Sequence, residues 1–300
     1  MSVTLPAIFI SLSMMISSPN NSLPNPEQLK EQIKAEFAKQ KGTFALAFKN
    51  LQTGEEILIN EKISFHAAST MKTPVLIEAY KQAAAGKFKI TDSISVKNEF
   101  KSIVDGSSYS LNAGDDSDSV LYTKVGTKLS IYDLLYLMII KSSNLATNII
   151  IDLVGAQNVN QTMRKMGAKD IQVLRGVEDN KAFQKGMNNT TTAYDQMVIF
   201  NEMGKGNAVS KKSSKAMVNI LLDQEFNDII PAQLPKDVKV AHKTGWIKGI
   251  NHDAGIVYLP DGRKYVLVLL SKELVDDKGG VAAMANVSKM VYDYFAQPGR

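Results

Sequence analysis

Strand-like segments stand at both ends of this chain and helix-like segments fill the space between, an order that admits few folds. Near the C-terminus, VKVAHKTG (238–245) precedes HDAGIVYLPDGRKYVLVLLSK (252–272). These read as three strands, and Pro260-Asp261-Gly262 turns the last two into a hairpin. Near the N-terminus, FALAFKNLQTGEEILINE (44–61) alternates on either side of Thr53-Gly54 and predicts a second hairpin. A helix precedes it, because Leu29, Ile33 and Phe37 recur every four residues and Gly42 stops the pattern. Another helix closes the chain at about 281–296. Helical patterns also cover 70–85, 131–140, 144–154 and the neighbourhoods of 157–166, 191–204 and 211–223. The polar stretch 90–128 reads as a loop with short elements beside a cleft. The economical architecture is α+β: one antiparallel sheet built from both chain ends, flanked by the terminal helices, with an all-helical lobe inserted. Residues 26–300 then form one domain. Its α/β lobe spans about 26–68 plus 236–300, and its helical lobe about 69–235.

Composition narrows the function. The net charge of +5 is spread over scattered lysines, with no arginine-rich or basic-aromatic block, so nucleic acid is not an expected partner. The chain has no cysteine, which excludes disulfides, thiolate metal sites and cysteine nucleophiles. Residues 5–16, LPAIFISLSMMI, are apolar but too few to span a bilayer as a helix. Small and polar residues follow them, as after an export signal, although the first lysine is only Lys30. Residues 1–25 therefore read as an export signal and disordered N-terminus, and the mature protein as periplasmic or secreted; a helix-packing N-terminus is the alternative. No second segment is an anchor, and a monomer is expected. Asp115, Asp116 and Asp118 lack the glycine and distal glutamate of a calcium loop and read as a solvated loop.

The three histidines show no metal-ligand spacing and no nucleophile-elbow setting, and there is no phosphate loop, so no metal or cofactor is expected. Lysine is the better candidate for an activating base. In HAASTMKTPV (66–75), Ser69 and Lys72 lie one helical turn apart as the chain enters a helix. The pair reads either as a nucleophile beside its proton acceptor or as an N-cap and a solvated lysine. Ser142-Ser143-Asn144 sits in a short loop between two apolar helices, where a hydroxyl and a carboxamide can face a cleft. Lys243-Thr244-Gly245 ends a predicted strand, where glycine lets a ligand approach the backbone and lysine can meet a carboxylate. Each of these is weak alone, since all are ordinary cap, loop or turn residues.

Together and in this order they are specific. Ser-x-x-Lys at a helix start, Ser-x-Asn between helices and Lys-Thr-Gly on a late strand form the motif set of the penicillin-recognising serine enzymes. The chain resembles a class A β-lactamase-type serine hydrolase from about residue 26 to 297, and RGVEDNKAFQKGMNNTTTAYD resembles that family's omega loop. The resemblance implies a β-lactam or peptidoglycan-like amide as substrate. It implies Ser69 as the acylated nucleophile, Lys72 as its proton acceptor, directly or through water, and Ser142 as a proton shuttle. Asn144 would hold the substrate's side-chain amide, while Lys243 and Thr244 would bind its carboxylate beside Gly245. The backbone N–H groups of Ser69 and Ile247 would form the oxyanion hole. Two departures stand out. Ser143 replaces the family's aspartate in the middle motif. The deacylating glutamate, counted back four from Asn180, falls on Gly176; the nearest acids are Glu178 and Asp179. Glu178 is then either the base or a surface loop charge. With the base, the chain is a β-lactamase; without it, a penicillin-binding acyl enzyme that deacylates slowly or not at all. A binding protein with relic motifs is the non-enzymatic alternative.

Overall fold

The computed structural model describes Met1 and residues 25–297, so the apolar segment read as an export signal lies outside the described residues. The chain runs α1 (Pro26–Phe37), β1 (Thr43–Asn50), β2 (Glu56–Ile59), β3 (Phe65–His66) and α2 (Lys72–Ala84). Four short strands follow, β4 (Ser93–Ser95), β5 (Phe100–Lys101), β6 (Ser108–Tyr109) and β7 (Lys128–Ser130). Next come α3 (Ile131–Ile140), α4 (Asn144–Val154), α5 (Ala156–Met166), α6 (Asn180–Gln184), β8 (Thr190–Thr191), α7 (Ala193–Lys205) and α8 (Lys211–Leu222). The chain closes with β9 (Lys239–Ile247), β10 (Ile250–Tyr258), β11 (Lys264–Lys272) and α9 (Asp277–Phe295).

The two chain ends build one five-stranded sheet in the order β2-β1-β11-β10-β9, antiparallel at every pairing. Strand periodicity divides its side chains between two cores. Phe44, Leu46, Phe48, Tyr265, Leu267 and Leu269 face the terminal helices α1 and α9. Ala45, Ala47, Val266, Val268 and Leu270 face the helical lobe. Both faces are covered, which is why KYVLVLLSK is a nearly unbroken apolar run. Helix α1 starts on a capping box between Asn25 and Gln28 with Pro26 in its first turn. It buries Leu29, Ile33 and Phe37, each contributing roughly 2 kcal/mol of apolar transfer.

Two expectations change in detail. The helix after Ser69 begins only at Lys72, behind a 3-10 turn over Ala68–Met71, so Ser69 caps nothing. The last helix starts at Asp277, earlier than its apolar pattern, because Gly279 and Gly280 in its first turn hide the periodicity. Segment 90–128 is the expected loop with short elements. Strand β4 pairs with β7, β5 pairs with β6, and Asn98 clamps the backbone of Leu111 in both directions. Among the described residues, no helix is long and apolar enough to cross a membrane.

Candidate active site

The 3-10 turn that carries Ser69 is held from three sides. Ala68 sits at φ +43° and donates its N–H to His66 Nδ1 at 3.1 Å. Thr70 Oγ1 donates to Ala67 O, and Ala67 N–H reaches Asn189 O. Lys72, on the next turn, is fully buried. Its ammonium donates to Ser142 O at 2.6 Å, Ser142 Oγ at 3.2 Å and Asn144 Oδ1 at 3.0 Å. Burial pulls the amine down to about 7, and the carboxylates of Asp116 and Glu178 resist that fall. Lys72 gives no hydrogen bond to Ser69, so the pair read from the sequence is not hydrogen-bonded in this arrangement.

Lysine 243 approaches the same hydroxyl from the sheet. It too is fully buried, and its ammonium donates to Ser142 Oγ at 3.1 Å and to Thr244 O at 2.9 Å. Burial, and then the charge on Lys72, push Lys243 well below the usual lysine range. Ser142 Oγ thus accepts from two amines and keeps its own proton free to donate. Ser142 stands at φ +56°, in the left-handed region that serine seldom adopts. Among the described residues, five non-glycine residues have positive φ, and three of them, Ala68, Ser142 and Glu178, are at this site. Strain of this kind persists where surrounding contacts over-determine the backbone.

The omega-like loop delivers Glu178, and not a residue at position 176, to the cluster. A Cβ on Gly176 would come within 2.7 Å of Asn148 Oδ1 and 2.8 Å of the Tyr109 hydroxyl, so no side chain fits there. Asn148 clamps the next residue: its Oδ1 accepts from Val177 N at 2.6 Å and its Nδ2 donates to Val177 O at 2.9 Å. The chain then turns through φ +63° at Glu178 and presents its carboxylate to Asn144 Nδ2 at 3.3 Å. Asn144 therefore joins Lys72, at its oxygen, to Glu178, at its nitrogen. Burial raises the Glu178 pKa, and the Asn144 hydrogen bond opposes the rise. Asp179 anchors the loop, accepting from Ser102 Oγ, Ile103 N and Ala182 N. Asn148→Ala should leave both Val177 backbone groups unpaired, costing about 1–3 kcal/mol each where buried. The expected result is a lower Tm and an adduct on Ser69 that clears more slowly while still forming, read by calorimetry and timed mass spectrometry.

Strand β9 closes the other side. A Cβ on Gly245 would lie 3.0 Å from Ser69 N and 3.1 Å from Thr70 N, so only glycine lets the strand meet the turn that carries Ser69. Ile247 does not supply the second oxyanion donor. Asn251, opposite Trp246, accepts Ser271 Oγ–H at its carbonyl and donates its N–H to Ser271 Oγ, so its backbone faces β11. Trp246 and Asn251 are therefore a non-hydrogen-bonded pair, and the backbone of Trp246 faces the open edge. Ile247, one residue on, turns its N–H inward to Ile250 across the tight turn. The candidate donor is Trp246 N, with its indole exposed beside the cleft.

All three histidines serve the scaffold. His252 donates from Nε2 to His66 O and accepts Ser271 N–H at Nδ1, and burial takes it down to about 4. His242 pairs with buried Asp253 at 2.8 Å. The sequence model of the β-lactamase enzyme family matches residues 28–295. The chain belongs to the β-lactamase enzyme family. The β-lactamase VEB-1 of Pseudomonas aeruginosa is 23% identical to it over 83% of this chain and 84% of that one. A β-lactamase from Sphaerobacter thermophilus superposes with a TM-score of 0.78 at 26% identity, covering 92% of this chain and 100% of that one. PBP-A superposes at 0.77 with 28% identity over 92% and 99%. A mutant of PBP-A is an acyl-enzyme complex with penicillin G.

In this β-lactamase-family chain the structure brings Ser142, Asn144, Lys72, Lys243 and Glu178 into one hydrogen-bonded cluster with Ser69 at its rim. Sequence reasoning missed Asn148, Trp246 and Asp116. The tight Lys248-Gly249 turn was a usable signal for Trp246, because it makes Ile247 and Ile250 the closing pair. Asp116 and Asp118 are not a solvated loop: they are 8% and 3% exposed.

Proposed function

We propose that the protein is a serine β-lactamase working through an acyl-enzyme on Ser69. The observation that carries this reading is the Glu178 carboxylate seated on Asn144, the same amide that holds Lys72. Ser69 Oγ attacks the lactam carbonyl, the C–N bond breaks and an ester to Ser69 forms. The serine proton passes to neutral Lys72, through a water or after Lys72 shifts away from Ser142. Ser142, bridging both lysines, passes its proton to the departing nitrogen and takes in its place the one that Lys72 received from Ser69. The N–H groups of Ser69 and Trp246 stabilise the oxyanion, a contribution on the order of 3 kcal/mol for one donor. Lys243 and Thr244 hold the substrate carboxylate and Asn144 its side-chain amide. Glu178 then draws a proton from a water whose oxygen bonds the acyl carbon, the bond from that carbon to Ser69 Oγ breaks, and the proton returns to Oγ through the cluster, freeing Ser69.

A second reading, a penicillin-binding acyl enzyme that keeps its adduct, is supported by the likeness to PBP-A. A time course with a chromogenic cephalosporin, followed by intact-protein mass spectrometry, separates the two. Sustained turnover supports the β-lactamase; one burst with a lasting adduct supports the other. Export to the periplasm or medium rests on residues 5–16 and belongs to the same proposal; N-terminal sequencing of the exported protein tests it.

The state of Lys72 sets a pH dependence. Its neutral form is the proton acceptor, and burial places the amine at about 7. Acylation should therefore slow as pH falls below about 7 and level off above it, measured by stopped-flow labelling with a fluorescent penicillin.

A further inference from the structure

The loop between β6 and β7 reaches across to the start of α4, and one buried side chain makes the junction. Asp116 accepts from Asn144 N at 3.0 and 2.9 Å and from Leu145 N at 3.0 Å. Ser143 Oγ takes Ala146 N, and Ser143 O takes Thr147 N. The N–H groups that open helix α4, which have no partner within the helix, are thus all satisfied, two of them by a residue from a remote loop. The carboxylate is itself fixed by the Tyr122 hydroxyl at 3.0 Å and by Asp118 N at 3.1 Å. It lies at the positive end of a helix, where a negative charge is favoured. The residue it grips hardest is Asn144, which holds Lys72 on one side and Glu178 on the other. The residue just before that grip is Ser143, where the middle motif of this family carries an aspartate.

We propose that Asp116 is a positioning residue for acylation, supplying from a separate loop the carboxylate that the Ser142-Ser143-Asn144 motif lacks and fixing Asn144 in register with Lys72. The strained backbone of Ser142 gives that clamp its purpose. A left-handed serine followed at once by a helix needs the helix start held from outside, or the Asn144 amide swings away from the place where it would meet the substrate's side-chain amide. The charge of Asp116 is also the foremost influence holding the Lys72 amine up against burial. The inference rests on the acyl-enzyme reading of Ser69 and on Asn144 as the holder of the substrate's side-chain amide.

The test compares two penicillins, benzylpenicillin, which carries a side-chain amide, and 6-aminopenicillanic acid, which lacks it. Acylation of the full chain is timed by mass spectrometry. Asp116→Asn should slow benzylpenicillin by at least ~10-fold, as expected for a misplaced positioning contact worth about 1.4 kcal/mol, and 6-aminopenicillanic acid far less. In an Asn144→Ala background the same change should add little, because the two residues act as one unit. Asp116→Glu keeps a charge at the helix start and so preserves the fold, but displaces the oxygens; the amide-selective loss should persist in it. Equal losses on both penicillins, or wild-type rates in a folded Asp116→Glu, overturn the inference. If Asp116→Asn does not fold, Asp116→Glu decides by the same comparison. Absence of any adduct on the unmutated chain overturns the function proposed above and this inference with it. An adduct without the selectivity overturns this inference alone.

Discussion

Ser69→Ala should leave no covalent adduct with any penicillin and lower turnover by on the order of 10⁶, the scale seen when a nucleophile is removed from a serine enzyme. The rest of the cluster survives the change. The Lys72 ammonium donates to Ser142 and Asn144, and Ser69 Oγ holds up no neighbour, so the variant should fold with an unchanged Tm. That separation makes the experiment decisive: a folded protein, an intact binding cleft and no chemistry. The double variant Ser69→Ala/Lys72→Ala should lose little more activity than the single, because a nucleophile and its proton acceptor act on one step. It should lose stability, however, since Ser142 O and Asn144 Oδ1 are then left without their buried donor. Stopped-flow rates and melting curves on the three proteins read both effects. Labelling of Ser69→Ala at the wild-type rate would sink the mechanism.

What could be read from the sequence and what could not divide along a physical line. Strand pairs at the chain ends were legible because both faces of the sheet are buried, which writes long apolar runs such as 264–272 into the sequence. Ser69, Lys72, Ser142, Asn144 and Lys243 stood out as candidates because their side chains carry reactive groups, and the structure gathers them in one place. Features set by backbone direction or by distant contacts were not. Ile247 is a plausible oxyanion donor by counting, yet strand parity gives the cleft to Trp246. Counting also pointed to position 176 for the deacylating acid, and only the packing of Asn148 and Tyr109 shows that a side chain there has no room. Asp116 carried no local signal at all. It looks like one acid among several in a polar stretch, and its burial depends on a helix start far along the chain.

Glu178→Gln should convert sustained turnover into accumulation of the Ser69 adduct, with hydrolysis of the ester slowed by roughly 10²–10⁴, the range for loss of a general base. The substitution is close to isosteric. Glutamine Oε1 can still accept from Asn144 Nδ2, so the bridge from the omega-like loop to the Lys72 cluster remains. What disappears is the capacity to take a proton from water. The carboxylate also helps hold the Lys72 amine up, so its removal should lower that amine slightly and shift the acylation profile toward acid. Acylation at pH 7 should therefore hold or rise while deacylation falls, a split that a merely structural defect would not produce. Asn148→Ala should imitate it weakly, because it loosens the segment that aims Glu178 without removing the base. If Glu178→Gln cleared its adduct as fast as the unmutated protein, the base would have to be sought elsewhere, and the left-handed turn at residue 178 would need another explanation. If the unmutated protein already kept its adduct, Glu178 would be a loop anchor in a penicillin-binding acyl enzyme, and the same variant would change only its stability.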